Sequence, residues 1–93
     1  MINSFADKHT ELLWHRHKSP KIDPTIQRTA LRKLRLLDAA AHIDDLRVPP
    51  GNRLEALKGD RVGQHSIRIN AQWRICFTWT NNNAEGVEIC DYH

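Results

Sequence analysis

The chain has 93 residues, of which 40% are hydrophobic and 27% charged, and its formal net charge is +3 at pH 7. These values indicate one folded domain spanning residues 1–93. No apolar run approaches the ~20 residues of a membrane span and no signal-peptide stretch is present, so we expect a cytoplasmic protein without membrane association. The charge favours an acidic or nucleic-acid partner, but residues 48–93 are formally neutral, with 5 Lys/Arg and 5 Asp/Glu.

The first half of the chain predicts two helices. Residues 1–5 fit a short edge strand, and the sequence Ser4-Phe5-Ala6-Asp7 resembles a capping box that opens a helix continuing to about His17. Asp23-Pro24 predicts the second start, because an N-cap carboxylate is followed by proline at the first helical position. Apolar residues then recur at helical spacing and predict one buried stripe: Ile26, Ala30, Leu34, Leu37 and Ala41.

Basic residues lie outside this stripe and in a later loop. Those of the second helix are Arg28, Arg32, Lys33 and Arg35. They predict a solvated face, and the alternative is a surface that meets RNA or an acidic partner. Residues 48–52 predict a loop without regular structure. Two glycines then bracket a tight loop that presents Lys58 and Arg61.

Residues 65–79 alternate apolar and polar side chains around a short polar turn, which is typical of an antiparallel hairpin. With residues 70–72 as the turn, Arg68 lies opposite Arg74. Like charges placed directly opposite weaken a sheet by roughly a few tenths of a kcal/mol or more. An anion that reaches both guanidinium groups offsets this repulsion, and phosphate fits their fork geometry best.

A third strand is predicted over residues 87–92, after a polar turn at residues 81–86. Two helices followed by a three-stranded meander predict an α+β domain, with two N-terminal helices packed on one face of a small antiparallel sheet. Apolar strand residues share the core face: Ile67, Ile69, Trp73, Ile75, Phe77, Trp79, Val87 and Ile89. If Trp79 pairs with Val87, Arg74 lies opposite Tyr92 on the open face, and Arg68, Arg74 and Tyr92 form one row.

Such a row suits phosphodiester cleavage in RNA without a metal, because the 2′-hydroxyl can attack its own phosphate. The protein must align the chain, remove a proton, stabilise the phosphorane and protonate the leaving 5′-oxygen. The arginines fit the third task. Lys58, Tyr92 and His93 are candidates for proton transfer, although an ordinary lysine is a poor base near neutral pH and strict strand alternation places His93 on the core side. Alternatively, Tyr92 stacks on a base.

Several structural interpretations compete with this one. Arg68 and Arg74 could form a surface salt-bridge cluster with Glu88, Asp91 or Asp60. The Lys58 loop could be only a polar turn, and the last residues a frayed terminus.

Metal binding is not expected. His15 and His17 stand two apart and do not share a helix face, and neither an HExxH nor a CxxC pattern is present. Cys76 and Cys90, placed opposite each other by the predicted register, fit half-buried strand residues. We therefore expect neither a metal nor another cofactor.

Several segments together resemble the HigB group of RelE-like toxins: residues 57–61 (LKGDR), 63–70 (GQHSIRIN), 72–77 (QWRICF) and 91–93 (DYH). The likeness covers nearly the whole chain, including the Pro-Pro-Gly-Asn loop. It implies the RelE-like fold and a toxin of a type II toxin–antitoxin system. Such toxins are ribosome-dependent mRNA interferases that cut the message in the ribosomal A site. The implied partner is a HigA-like helix-turn-helix antitoxin. Operator DNA is then bound only by the complex of toxin and antitoxin, through the antitoxin.

The resemblance also implies roles for individual residues. Lys58 and Arg61 match the basic loop that contacts RNA, and Arg68 and Arg74 match positions that face the scissile phosphate. The hairpin tip and the C-terminal motif supply the other matches: Asn70, Gln72, Asp91, Tyr92 and His93. In that motif the histidine takes part in proton transfer. Two rival functions remain: a non-catalytic RNA-binding module, and a regulatory subunit that acts through its antitoxin.

Overall fold

The computed structural model describes residues 1–17 and 19–91, which form two helices and a four-stranded antiparallel sheet. In chain order these are α1 (Lys8–Trp14), α2 (Pro24–Ala39), β1 (Glu55–Ala56), β2 (His65–Arg68), β3 (Trp73–Thr80) and β4 (Asn83–Asp91). The strands lie in the order β1-β2-β3-β4. The predicted α+β class is confirmed, and the short strand β1 is an addition to the predicted meander.

The two helix starts differ in how well the sequence predicted them. Asp23 caps α2 as predicted, since its carboxylate accepts the Thr25 N–H at 2.9 Å and this bond lowers the pKa of Asp23. The predicted capping box of α1 is wrong. Ser4 instead accepts the Gly86 N–H at 2.9 Å, because residues 2–5 run alongside β4. Asp7 is the N-cap of α1, and the helix ends at Trp14 rather than His17.

The core lies between α2 and the inner face of the sheet. Four of the five predicted stripe residues are buried, and Ala41 is exposed because α2 ends at Ala39. The sheet contributes the fully buried side chains of Ile67, Ile75, Phe77 and Val87. Within the described residues, no helix combines the length and apolar character needed to cross a bilayer.

The prediction that Lys33 belongs to a solvated face is also wrong, because Lys33 is only 9% exposed. Its ammonium group donates to the side-chain oxygen of Asn52, which is itself fully buried. The amide nitrogen of Asn52 donates to the carbonyls of Leu46 and Val48 at 3.2 and 3.3 Å. The loop at residues 48–52 is therefore tied to α2, and it includes a 3₁₀ turn (Pro50–Asn52) where we predicted no regular structure.

Burial gives Lys33 a pH-dependent effect on stability. Desolvation, followed by repulsion from Arg32, lowers the pKa of Lys33 from 10.5. As pH rises toward 10.5, the folded protein releases this proton before the unfolded chain does, so the contribution of Lys33 to the free energy of unfolding increases. In urea denaturation from about pH 7 to 10.5, the stability of the wild type relative to Lys33→Met is expected to increase with pH. A constant difference would contradict this prediction.

The pairing of β3 with β4 differs from the predicted register. Asn81 and Asn82 form a tight two-residue turn with positive φ values of 52° and 62°, so β4 begins at Asn83 and Trp79 pairs with Ala84. The register shifts again between Cys76 and Thr78, where β4 holds an extra residue near Gly86 (φ 59°). As a result Arg74 pairs with Cys90 rather than Tyr92.

Candidate functional site

Two recesses lie side by side on the sheet face that points away from the helices. The first, here called the Lys58 recess, has a volume of about 430 Å³, and its lining includes Lys58, Arg61, Cys76, Cys90 and Asp91. The second, the Arg68 recess, has a volume of about 260 Å³ and is lined by Arg53, Arg68, Asn70, Ala71 and Arg74. They are neighbours because Cys90 of the first pairs directly with Arg74 of the second.

Arg74 lies opposite Arg68, as the sequence predicted, but it is not an exposed member of an open row. Its side chain is only 5% exposed. Its Nε donates to the hydroxyl of Ser66 at 2.7 Å, and its Nη2 donates to the carbonyl of Arg53 at 2.6 Å. These bonds fix the direction of the guanidinium group before any ligand arrives. Arg68 is partly exposed across the hairpin.

The hairpin tip is shaped by its own side chains. Asn70 accepts the N–H groups of Gln72 and Trp73, both at 2.8 Å, and so closes the turn. Gln72 donates to the carboxylate of Asp91 at 3.2 Å, which joins the tip to the end of β4. Among these predicted RNA-contacting residues, Asn70 lines the Arg68 recess, Asp91 lines the Lys58 recess, and Gln72 lies beside them.

The predicted basic loop is present, and its two cations differ in their surroundings. Lys58 is exposed at the start of a 3₁₀ turn (Gly59–Arg61), which begins with Gly59 at φ 65°. Arg61 donates to Glu88 at 2.7 Å and to Gln64 at 3.0 Å, and the bond to Glu88 raises its pKa. Arg61 therefore anchors the loop to the sheet, while Lys58 extends toward solvent.

The predicted register placed Cys76 and Cys90 directly opposite each other. They are diagonal neighbours instead, because Cys76 pairs with Glu88. Both are free thiols, Cys76 buried and Cys90 partly buried. Interaction between the two thiols lowers the pKa of Cys76 and raises that of Cys90, whose Sγ lies 3.9 Å from the carbonyl oxygen of Glu88. The described residues contain no group of three or more His, Cys, Asp and Glu side chains suited to a metal ion.

Two predicted site residues, Tyr92 and His93, lie outside the described residues. Asp91, the last described residue, pairs with Trp73 yet lines the Lys58 recess, so β4 ends at the edge of this recess. Two residues that shape the site were missed from the sequence: Arg53, which lines the Arg68 recess, and Ser66, which accepts Nε of Arg74. No spacing rule points to Arg53, because it reaches the Arg68 recess from a loop distant in sequence.

A cavity larger than either recess lies away from both of them, between α1 and α2. It has a volume of about 560 Å³, and its lining includes four arginines: Arg16, Arg28, Arg32 and Arg35. Leu13 and Leu31 also line it. The basic face of α2 therefore borders a groove that His17 also lines, a shape suited to a partner.

Comparison of the sequence with known proteins identifies one family. Residues 3–93 match the model of the HigB-like toxin, described as the RelE-like toxin HigB of type II toxin–antitoxin systems. The chain is 42% identical over 85 residues to Toxin HigB-1 of Vibrio cholerae, covering 90% of each chain. It is 34% identical over 97 residues to Endoribonuclease HigB of Proteus vulgaris, covering 100% of both.

Solved structures share the fold at low sequence identity. The YoeB-YefM complex from Staphylococcus aureus includes a chain that superposes with a TM-score of 0.62 at 20% identity, covering 100% of this chain and 98% of that one. YafQ from E. coli gives a TM-score of 0.60 at 14% identity, with coverages of 98% and 93%. These neighbours confirm the RelE-like architecture expected from the sequence.

Proposed function

Since the chain belongs to the HigB family of RelE-like toxins of type II toxin–antitoxin systems, we propose that it is an endoribonuclease that cleaves translated mRNA in the ribosomal A site. The observation that carries this proposal is the pairing of Arg68 with Arg74 beside a recess that contains Lys58. The relative from Proteus vulgaris is named an endoribonuclease, which supports the same reaction. We place the reaction in the cytoplasm, where messages are translated.

The proposed reaction is metal-independent attack by the 2′-oxygen on the adjacent phosphorus. The 2′-hydroxyl loses its proton as the new P–O bond forms, and the bond to the 5′-oxygen breaks as that oxygen gains a proton. Arg74, fixed by Ser66 and the Arg53 carbonyl, and Arg68 stabilise the negative charge of the phosphorane. His93, with Tyr92 and Lys58 as further candidates, transfers the protons.

The remaining predicted residues hold the RNA. Lys58 offers an exposed cation at the rim of its recess, and Arg61 orders the loop that carries it. Asn70 and Gln72 shape the hairpin tip, and Asp91 connects that tip to the C-terminal motif. We propose that they align the message next to the arginine pair.

The proposed protein partner is a HigA-like helix-turn-helix antitoxin, with operator DNA bound only through the complex of the two proteins. A solved structural neighbour is a toxin–antitoxin complex, YoeB-YefM. The rival functions make different demands on the surface. A non-catalytic RNA-binding module needs the arginine pair but no acid–base groups, whereas a regulatory subunit depends more on the basic face of α2 than on the sheet.

Primer extension on a defined message in a reconstituted translation reaction tests the proposal. The wild-type toxin is expected to produce cuts within codons. The same message without a start codon, and the same RNA without ribosomes, are expected to remain largely intact, and adding the antitoxin is expected to suppress the cuts. An intact translated message, with active ribosomes and folded toxin confirmed, would refute the nuclease assignment and favour the binding module.

A further inference from the structure

Arg53 has no role in the site predicted from the sequence, yet it lines the Arg68 recess. Three guanidinium-bearing residues, Arg53, Arg68 and Arg74, surround this space of about 260 Å³ together with Asn70. Two of them come from the β2–β3 hairpin and the third from the loop before β1. Arg53 and Arg68 carry like charges that repel each other across this recess, and a bound anion would relieve that repulsion.

The segment that carries Arg53 is held on both sides by buried contacts. Asn52, fully buried, bonds to Lys33 and to the carbonyls of Leu46 and Val48. The Arg53 carbonyl accepts Nη2 of Arg74 at 2.6 Å. The backbone that presents the Arg53 side chain is therefore fixed relative to Arg74.

Arg53 itself has a left-handed backbone conformation, with φ of 45°. This conformation is unfavourable for a residue with a Cβ, and such strain persists where surrounding contacts enforce it, often at ligand-binding sites. Asparagine or glycine would adopt it more easily. Arginine at this position is therefore not explained by the backbone.

Within the part of the chain that the structure describes, carboxylates do not neutralise the exposed cations of this recess. The ion pairs among those residues are Arg47 with Asp44 and Arg61 with Glu88. Neither involves Arg53 or Arg68. A phosphate group fits a recess lined by several arginines, because it accepts paired N–H bonds from guanidinium groups.

We propose that Arg53 is a phosphate-binding residue, and that it and Arg68 hold a backbone phosphate of the RNA in the Arg68 recess. The identity of the RNA as substrate rests on the proposed function, whereas the phosphate contact can be measured without cleavage. The Arg68 recess then binds the sugar–phosphate chain beside the Lys58 recess, so the message lies across β3.

Three variants separate the side chain from its backbone. Arg53→Asn removes the guanidinium group but tolerates positive φ, so the carbonyl that holds Arg74 stays in place. Arg53→Lys keeps the charge without the fork. Arg47→Asn is the matched control, since Arg47 is an exposed arginine that pairs only with nearby Asp44 within the described residues.

The probe is a 2′-O-methyl hexanucleotide, which lacks the attacking hydroxyl and cannot be cleaved. Its affinity is measured from about 20 to 200 mM salt. Arg53→Asn is expected to weaken binding about tenfold and to reduce the slope of log K against log salt by about 0.7, the loss of one phosphate contact on a single strand. Arg53→Lys is expected to keep most of the slope of log K against log salt but to bind the hexanucleotide less tightly. Arg47→Asn is expected to match the wild type in both quantities.

Inorganic phosphate distinguishes an RNA phosphate from free phosphate as the ligand. We expect it to compete only weakly at millimolar concentrations. Strong competition that depends on Arg53 would overturn the RNA assignment in favour of a free-phosphate site. The proposal as a whole would be overturned if Arg53→Asn had the same slope of log K against log salt as the wild type. It would also be overturned if the wild type did not bind the hexanucleotide at about 20 mM salt.

The outcome is separable from that of the proposed function. If the wild type cleaves translated message while Arg53→Asn binds the hexanucleotide normally, the nuclease assignment stands and Arg53 has no phosphate role. If the wild type never cleaves the message but binds the hexanucleotide through Arg53, the phosphate-binding role of Arg53 stands and the nuclease assignment fails.

Discussion

Replacing Arg74 with alanine is expected to reduce cleavage of translated mRNA by about 10²–10³-fold. Losing one preorganised donor to an oxyanion costs this much in well-studied enzymes. Arg74 is preorganised in the site, because Ser66 and the Arg53 carbonyl hold its guanidinium group at 2.7 and 2.6 Å. The measurement is the single-turnover cleavage rate in the reconstituted translation reaction.

Arg74→Ala also removes a buried side chain, so folding must be measured alongside activity. Leaving buried hydrogen-bonding groups unpaired costs about 1–3 kcal/mol of unfolding free energy each. Arg74→Lys keeps a positive charge but cannot reproduce the bonds of the guanidinium fork. We expect urea denaturation to show that Arg74→Lys is a folded protein. We expect this variant still to lose most of the cleavage rate.

Ser66→Ala tests whether the orientation of Arg74 matters as well as its charge. This substitution keeps the arginine and removes the hydroxyl that accepts its Nε. A fall in cleavage rate of about tenfold is expected, with hexanucleotide affinity nearly unchanged, because alignment in the transition state is impaired more than attraction of the anion. Wild-type cleavage by both Arg74→Lys and Ser66→Ala would exclude Arg74 from the chemistry.

The sequence predicted local features well where a single strand pair or helix determines them. The pairing of Arg68 with Arg74 follows from alternation around a short turn, and the structure confirms it. Asp23 at the start of α2 likewise depends only on its immediate neighbours. The predicted register of β3 with β4 was wrong. The pairing of these strands depends on a turn at Asn81 and Asn82 and on an extra residue near Gly86, neither of which can be read from the alternation of apolar and polar residues.

Contacts between distant segments could not be predicted. Arg74 was expected on an open face, but the loop before β1 covers it, and this loop is held by the buried pair of Lys33 and Asn52. Lys33 lies off the apolar stripe, so periodicity assigned it to solvent. Arg53 was missed for the same reason, since its position depends on how this loop folds onto the hairpin.

The second large effect is expected at His93. Replacing it with glutamine is expected to slow cleavage by about 10²–10⁴-fold, the usual contribution of a general acid or base. Glutamine keeps hydrogen-bonding groups and roughly similar size but cannot transfer a proton near neutral pH. His93 stands two residues after Asp91, which lines the Lys58 recess.

The pH dependence of the single-turnover rate distinguishes His93 from Lys58. A histidine that transfers a proton makes the rate depend on pH, so the wild-type rate is expected to change with pH and the change to disappear in His93→Gln. Lys58→Met is the comparison, because Lys58 is exposed at the rim of the recess. We expect it to weaken RNA affinity and keep the same pH profile.

The two variants together assign the proton-transfer role. If Lys58→Met abolishes the change of the cleavage rate with pH while His93→Gln preserves it, the roles are reversed. The lysine is then the proton donor or acceptor. If both variants retain this change with pH and cleave at the wild-type rate, neither residue transfers a proton. Catalysis would then depend on alignment and on the charge of the arginine pair, and a substitution at Tyr92 would become the decisive measurement.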